Sequence, residues 1–333
     1  MNTTNSNSKP KVWQLLGKNI SHCKTTAEAI QEAGLDFSVL KPPNIHPLPS
    51  GNNIISDNSF FTFRTDTEAV LGDKVGSDYQ VVQNVETFSF FDSIIENYGS
   101  VKFDYAGALG YGETIFLTAK LPDYIRVGKS DLIDPYLFLS STHDGTGSIT
   151  IAFTPIRICC SNTLNAALRG CQNAVKIRHT ASAAEKLKSA HQLLGLTNQL
   201  STELEAIFNR WSRIRITDPE LKRLIQLAMS PNRETTEKLQ TGKEVELSSH
   251  FNNIVASVME YSLASPTQQE DTTKGTLFGA FNGVTGYFHN VRKFPDEETK
   301  FKSILYGNGL QKAQAAFNLC DGFAKHGSRV LFN

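Results

Sequence analysis

The sequence is short of sulfur, of surplus charge and of long apolar runs. Its five cysteines (Cys23, Cys159, Cys160, Cys171, Cys320) are an odd number and none lies at C-x-x-C spacing. A disulfide framework or a cysteine zinc site is therefore unsupported. The eight histidines are scattered, with no pairing to a second His or a Cys at ligand spacing. Lysine plus arginine and aspartate plus glutamate number 33 each, so the bulk positive charge that advertises nucleic acid is missing. No stretch approaches the roughly 18 apolar residues that cross a bilayer. The opening residues, MNTTNSNSKPK, lack an apolar secretory core. Together these absences lead us to expect a cytoplasmic protein with reduced thiols, no membrane segment, no cofactor, no bound metal and no evident small-molecule ligand.

What is present is an uneven distribution. Residues 1–100 hold 7 basic and 11 acidic side chains and 101–150 hold 4 and 6, whereas 151–223 hold 11 and 5. The positive excess starts at IAFTPIRICCSNTLNAALRG (151–170), which reads as a strand leaving through two adjacent cysteines into a helix. Upstream, residues 1–20 read as a disordered tail, 25–34 as a short helix, and 41–59 as a loop rich in Pro, Asn and Ser. FFTFRTD (60–66) alternates as a strand, and NVETFSFFDSIIENYG (84–99) is an amphipathic helix with Asn84 as its cap. Strand patterns follow at 101–112, 113–122 and 136–160. HDGTGS supplies Asp-Gly hairpin chemistry inside the last of these. From residue 180 the pattern is helical. Ser182 with Glu185, and Thr217 with Glu220, match capping boxes, and Gly195 is an expected helix stop.

Strands clustered in sequence, with no βαβ alternation, argue for an α+β fold. We expect an antiparallel sheet with packed helices over about 60–160, followed by a largely helical C-terminal half. The corresponding units are an α+β core domain (21–180) and a mainly helical region (181–333), the latter either a second domain or the cover of the sheet.

No catalytic constellation is visible. GALGYGE (107–113) lies between two strands, which suits a hairpin better than a dinucleotide loop. Asp131 and Asp134 read as solvated loop acids. Cys159 and Cys160 read as small packing residues on opposite faces of the strand, one of them in the core; a catalytic thiol needs an activating base, which His179 or His143 could supply in space. The basic group is the candidate site. Arg157, Arg169, Lys176 and Arg178 are suited to phosphate contacts, and Asn162 to capping a helix that faces an anion. Tyr105 and Tyr111 are suited to stacking on bases. The plainer reading of the same residues is a solvated positive face that balances the acidic N-terminal third or meets another subunit.

SDYQVVQNVETFSFFD, AGALGYGETIFLTAKLP, STHDGTGSITIAFTPIRICCSNTLNAAL, IRHT and GTLFGAFNGVTGYFHNVR resemble successive blocks of the phage/plasmid-like family known as domain of unknown function 932. The resemblance runs from about residue 20 to about residue 320. Phe278 stands where that family commonly has Trp. The resemblance implies mobile-element origin and cytoplasmic life, and no established activity. The order helix, hairpin, strands, helix is also similar to that of single-strand annealing recombinases, whose β-β-β-α unit lines a positive groove in an oligomeric ring; the matching unit here is 101–170. The function expected is therefore non-catalytic binding of single-stranded DNA or RNA in recombination or replication, by a homo-oligomer. The alternative is a structural or adaptor protein that docks a partner protein of the same mobile element.

Overall fold

In the computed structural model, which describes residues 10–98, 101–160, 162–164, 174–189, 192–243 and 246–332, two long apolar strands lie at the centre. They are β7 (Thr114–Lys120) and β9 (Asp131–Thr142), introduced first because the remaining elements are laid around them. Their near-continuous burial, without a period of two, means that both faces of the sheet are covered. In chain order the strands before and between them are β1 (Lys18–Asn19), β2 (Val39–Leu40), β3 (Pro43–Pro47), β4 (Asn53–Arg64), β5 (Val70–Val75), β6 (Lys102–Leu109) and β8 (Ile125–Val127). After them come β10 (Ile149–Arg157) and β11 (Ala174–Ile177). A seven-stranded antiparallel sheet runs β1-β6-β7-β9-β10-β11, with β8 on β9, and β2 to β5 form a smaller sheet beside it.

One face of the large sheet meets α2 (Asn84–Phe88) and α3 (Phe90–Tyr98), where Phe91 touches Phe103 at 6.2 Å between ring centroids. The short helix α1 (Thr26–Glu32) rests against α2. The other face carries Phe116 and Phe138. They meet Trp13 near the N-terminus and Phe301 of a C-terminal helix. The helical half thus reaches this face of the sheet through Phe301. Its helices are α4 (Ala183–Ser189), α5 (Gln192–Trp211), α6 (Asp218–Met229), α7 (Arg233–Gln240), α8 (Ser249–Ala264), α9 (Leu277–Gly286), α10 (Glu297–Leu305), α11 (Asn308–His326) and α12 (Arg329–Phe332). Every residue of α9 is buried, and Phe278 and Phe281 share an aromatic cluster with Phe208, Trp211 and Phe317. Gly283 and Gly286 let α8 approach, because a Cβ at either would collide with Ser262 or Tyr261.

The α+β class and antiparallel sheet stand as expected, as does the Thr217–Glu220 capping box. Several local expectations are corrected. Residues 10–20 are ordered, since Trp13 is fully buried and β1 pairs with β6. Gln83 caps α2, leaving Asn84 buried inside it. Gly195 lies within α5 rather than ending a helix. The expected loop at 41–59 is a β-hairpin in which Ile45 faces Ile55. Among the described residues, no helix is long and apolar enough to cross a membrane.

Candidate functional site

The strand that leaves the sheet does not run straight into a helix. After Arg157 the backbone turns back: Arg157 N–H donates to the Asn162 carbonyl (3.0 Å) and Leu164 N–H to the Pro155 carbonyl (2.8 Å). Thr163 therefore sits as a bridge partner beside Ile156, and the expected helix beyond it, with Arg169, lies outside the described residues. This doubling-back points Arg157 inward, where its side chain has 0% exposure. Nε and Nη2 donate to the Asp131 carboxylate at 2.9 and 2.7 Å, and Nη1 donates to the Thr267 carbonyl at 2.9 Å. Thr272 Oγ1 donates to the same carboxylate at 2.6 Å. Burial opposes the guanidinium charge, but Asp131 and the neighbouring thiols more than restore it, so its pKa is raised above the ordinary arginine value.

Asn162 is equally buried. Its Oδ1 accepts from Asn290 (3.0 Å), which also donates to the Tyr261 hydroxyl (3.1 Å). Thr163 N–H donates to His289 Nε2 (3.1 Å), a bond that requires the ring nitrogen bare. Complete burial drives His289 down to about 3, with Lys300 adding to the effect. These contacts join the sheet to α8, α9 and the segments around them. Two expectations are thereby corrected: Arg157 and Asn162 hold the halves together and present nothing to a phosphate, because their polar atoms are spent inside.

The remaining candidates divide. Lys176 and Arg178 are exposed, on and just after the edge strand β11. Tyr111 is 70% exposed in the turn between β6 and β7, and its carbonyl accepts from Arg64 (2.7 Å). Because Ile149 pairs with Ile177 and Thr114 with Thr142, Arg178 and Tyr111 share one end of the sheet. Tyr105 is only part-exposed, on β6 beside β1. Four strand spacings, about 19 Å, separate it from Lys176. The six described candidates do not form one surface.

Two features escaped the sequence reading. Behind the shared end of the sheet lies a buried polar cluster. His143 Nε2 is 2.8 Å from Asn84 Oδ1, His179 Nε2 is 3.4 Å from Ser141 Oγ, and the His179 ring stacks on Tyr79. Asn84 Nδ2 donates to the Leu35 carbonyl, which turns Oδ1 toward the ring and assigns the proton to Nε2. Burial, then His179, push His143 down to about 3. The second feature is the β3–β4 arm. From residue 41 to 61 no side chain is buried, and Ile45, Leu48, Ile54 and Ile55 are 39–60% exposed. SGNN beside Ile54 and Ile55 was the available signal, being turn chemistry next to β-branched residues.

The family described as domain of unknown function, DUF932, matches residues 73–308, well over half of the chain. The chain belongs to this family. No curated protein and no solved structure matches it. The DUF932 span takes in the Arg157 junction and the buried histidines, while the arm precedes it.

Proposed function

We propose that this DUF932 protein is a structural, self-associating interaction protein whose β-arm contacts a second copy of the chain. The arm carries the reading. An isolated two-stranded hairpin is marginal in water, and this one buries no side chain of its own along its outer length. Between residues 41 and 61 the ionisable groups are Lys41, His46 and Asp57, too few for a phosphate surface. Pro43 and Pro47 remove donors from β3, which discourages strand addition and leaves side-chain contact as the mode. Ile45 and Ile55 face each other on one side, an apolar patch that a two-fold axis would pair with itself. Sedimentation of the full chain over a range of concentrations tests this. Reversible association is expected, lost on Ile45→Asp with Ile55→Asp, and a wild type that stays monomeric throughout sinks the reading.

A second reading keeps single-stranded nucleic acid as the ligand. It rests on Lys176 and Arg178, exposed on and just after the edge strand β11, with Tyr111 at the same end of the sheet. The mobile-element role in recombination or replication, and the cytoplasmic setting, belong to this reading. Fluorescence anisotropy with single- and double-stranded oligonucleotides at two salt concentrations decides it. Tight, salt-dependent preference for single strands supports it, and no binding at low salt removes it.

A further inference from the structure

Beyond α9 the helix widens: Tyr287–Val291 forms a π-helical turn, a rare geometry that is frequent at functional positions. Here it sets His289 against the Thr163 N–H and Asn290 against the Asn162 side chain, facing the segment that returns from β10. The hydroxyl of Thr163 is left over. Thr163 is 3% exposed, and its Oγ1 has no hydrogen-bond partner among the described residues. A buried hydroxyl in that position has lost its contact with solvent and gained nothing in return. Beside it lies a cavity of about 10 Å³, taken as the space open to the centre of a water molecule. Thr163, Thr285 and His289 are the polar residues of its lining, with Phe288, Ile304 and Ala313 among the apolar ones.

We propose that this cavity is a binding site for one ordered water molecule, bonded to Thr163 Oγ1 and to Thr285 or His289. Size sets the limit: by the same measure a single water needs roughly 10–15 Å³, so nothing larger enters. Charge argues against an ion, since no carboxylate is among the described residues of the lining and burial keeps His289 neutral. The hydrogen-bonding sense of the wall fits water instead. The Thr163 hydroxyl can both donate and accept. Thr285 Oγ1 has one hydrogen, shared between the Phe281 and Asn282 carbonyls at 3.4 and 3.3 Å, and its lone pairs are left to accept. His289 Nε2 already accepts from the Thr163 N–H, so the neutral ring carries its proton on Nδ1, a donor. Thr163 belongs to the return from β10, Thr285 to α9 and His289 to the π-helical turn. A water held among them ties the sheet to the helical half beside the Asn162–Asn290 bond.

A crystal structure of the full chain, at a resolution that shows ordered waters, tests the site directly. The expected result is a peak within hydrogen-bond reach of Thr163 Oγ1 and of Thr285 Oγ1 or His289 Nδ1. An empty cavity, or a peak bonded to Thr163 alone, overturns the proposal. Urea unfolding gives a second readout in which the two cases differ in sign. Thr163→Val keeps the branched shape and removes the hydroxyl. Where that hydroxyl is bonded to water, its loss should lower the midpoint. Where it is unbonded in a dry cavity, a methyl group suits the site better, so an unchanged or raised midpoint counts against the water. Thr163→Ser retains the hydroxyl and should retain the peak, while Thr163→Val should lose it. A peak that survives in Thr163→Val shows that the hydroxyl does not hold the water, and overturns the assignment.

Discussion

The Arg157 junction and the β-arm invert the usual distribution of polarity. At the junction an arginine, an aspartate, two asparagines and a histidine are buried; on the arm four aliphatic side chains stand in solvent. The difference lies in what surrounds each group. Arg157 is held by Asp131 and Thr267, and Asn162 by Asn282 and Asn290, so their burial leaves few unmet bonds. Among the described residues, no layer covers the arm. A buried charge pair holds a fold together only while both partners remain. An exposed apolar patch contributes little to the fold and more to what meets it.

Breaking the junction gives the largest expected effect. Arg157→Ala or Asp131→Ala should each cost about 3–5 kcal/mol in urea unfolding, because either leaves the other charge buried and unpaired. Replacing both by Met and Leu should cost much less than the sum of the two single changes; additive losses would show that the pair is not a unit.

Acid should then loosen the same interior. His143 and His289 ordinarily titrate near 6.5, and the fold holds both at about 3. Above pH 6.5 the folded and unfolded chains both keep them neutral. Below it the unfolded chain takes up protons that the fold refuses. Stability therefore falls by about 1.4 kcal/mol per pH unit for each histidine as pH drops from 6.5 toward 3. Urea midpoints at pH 7, 6 and 5 check this, and His289→Gln should flatten the slope.

The arm should behave oppositely. Ile45→Asp with Ile55→Asp is expected to change unfolding free energy by under about 0.5 kcal/mol while abolishing association. A large loss of stability would mean that the arm belongs to the core after all. Smallest in stability terms is Lys176→Ala with Arg178→Ala. It should leave the melting temperature in place and reduce the salt slope of any oligonucleotide binding by about two.

Much of the fold was legible from local pattern. The apolar strands at 113–122 and 136–160, the Asp-Gly hairpin and the Thr217–Glu220 box depend on neighbours in sequence, and they formed as read. The candidate site was far less legible. Arg157 and Lys176 look alike in a charge count, and only the partner across the fold separates them: Asp131 lies 26 residues upstream of Arg157, and Thr267 lies 110 downstream. The arm was hidden for a related reason, since its prolines and asparagines imitate a loop until β4 pairs with β3.

The sequence by itself determined the α+β class, the clustering of strands before helices and the family, because hydrophobic period, turn chemistry and motif blocks are local properties. Tertiary structure alone decided which polar residues are spent inside and which apolar ones remain outside. Burial is a property of pairs brought together from distant parts of the chain, and at the turn after β10 that geometry sent Arg157 inward and left Cys159 facing the solvent.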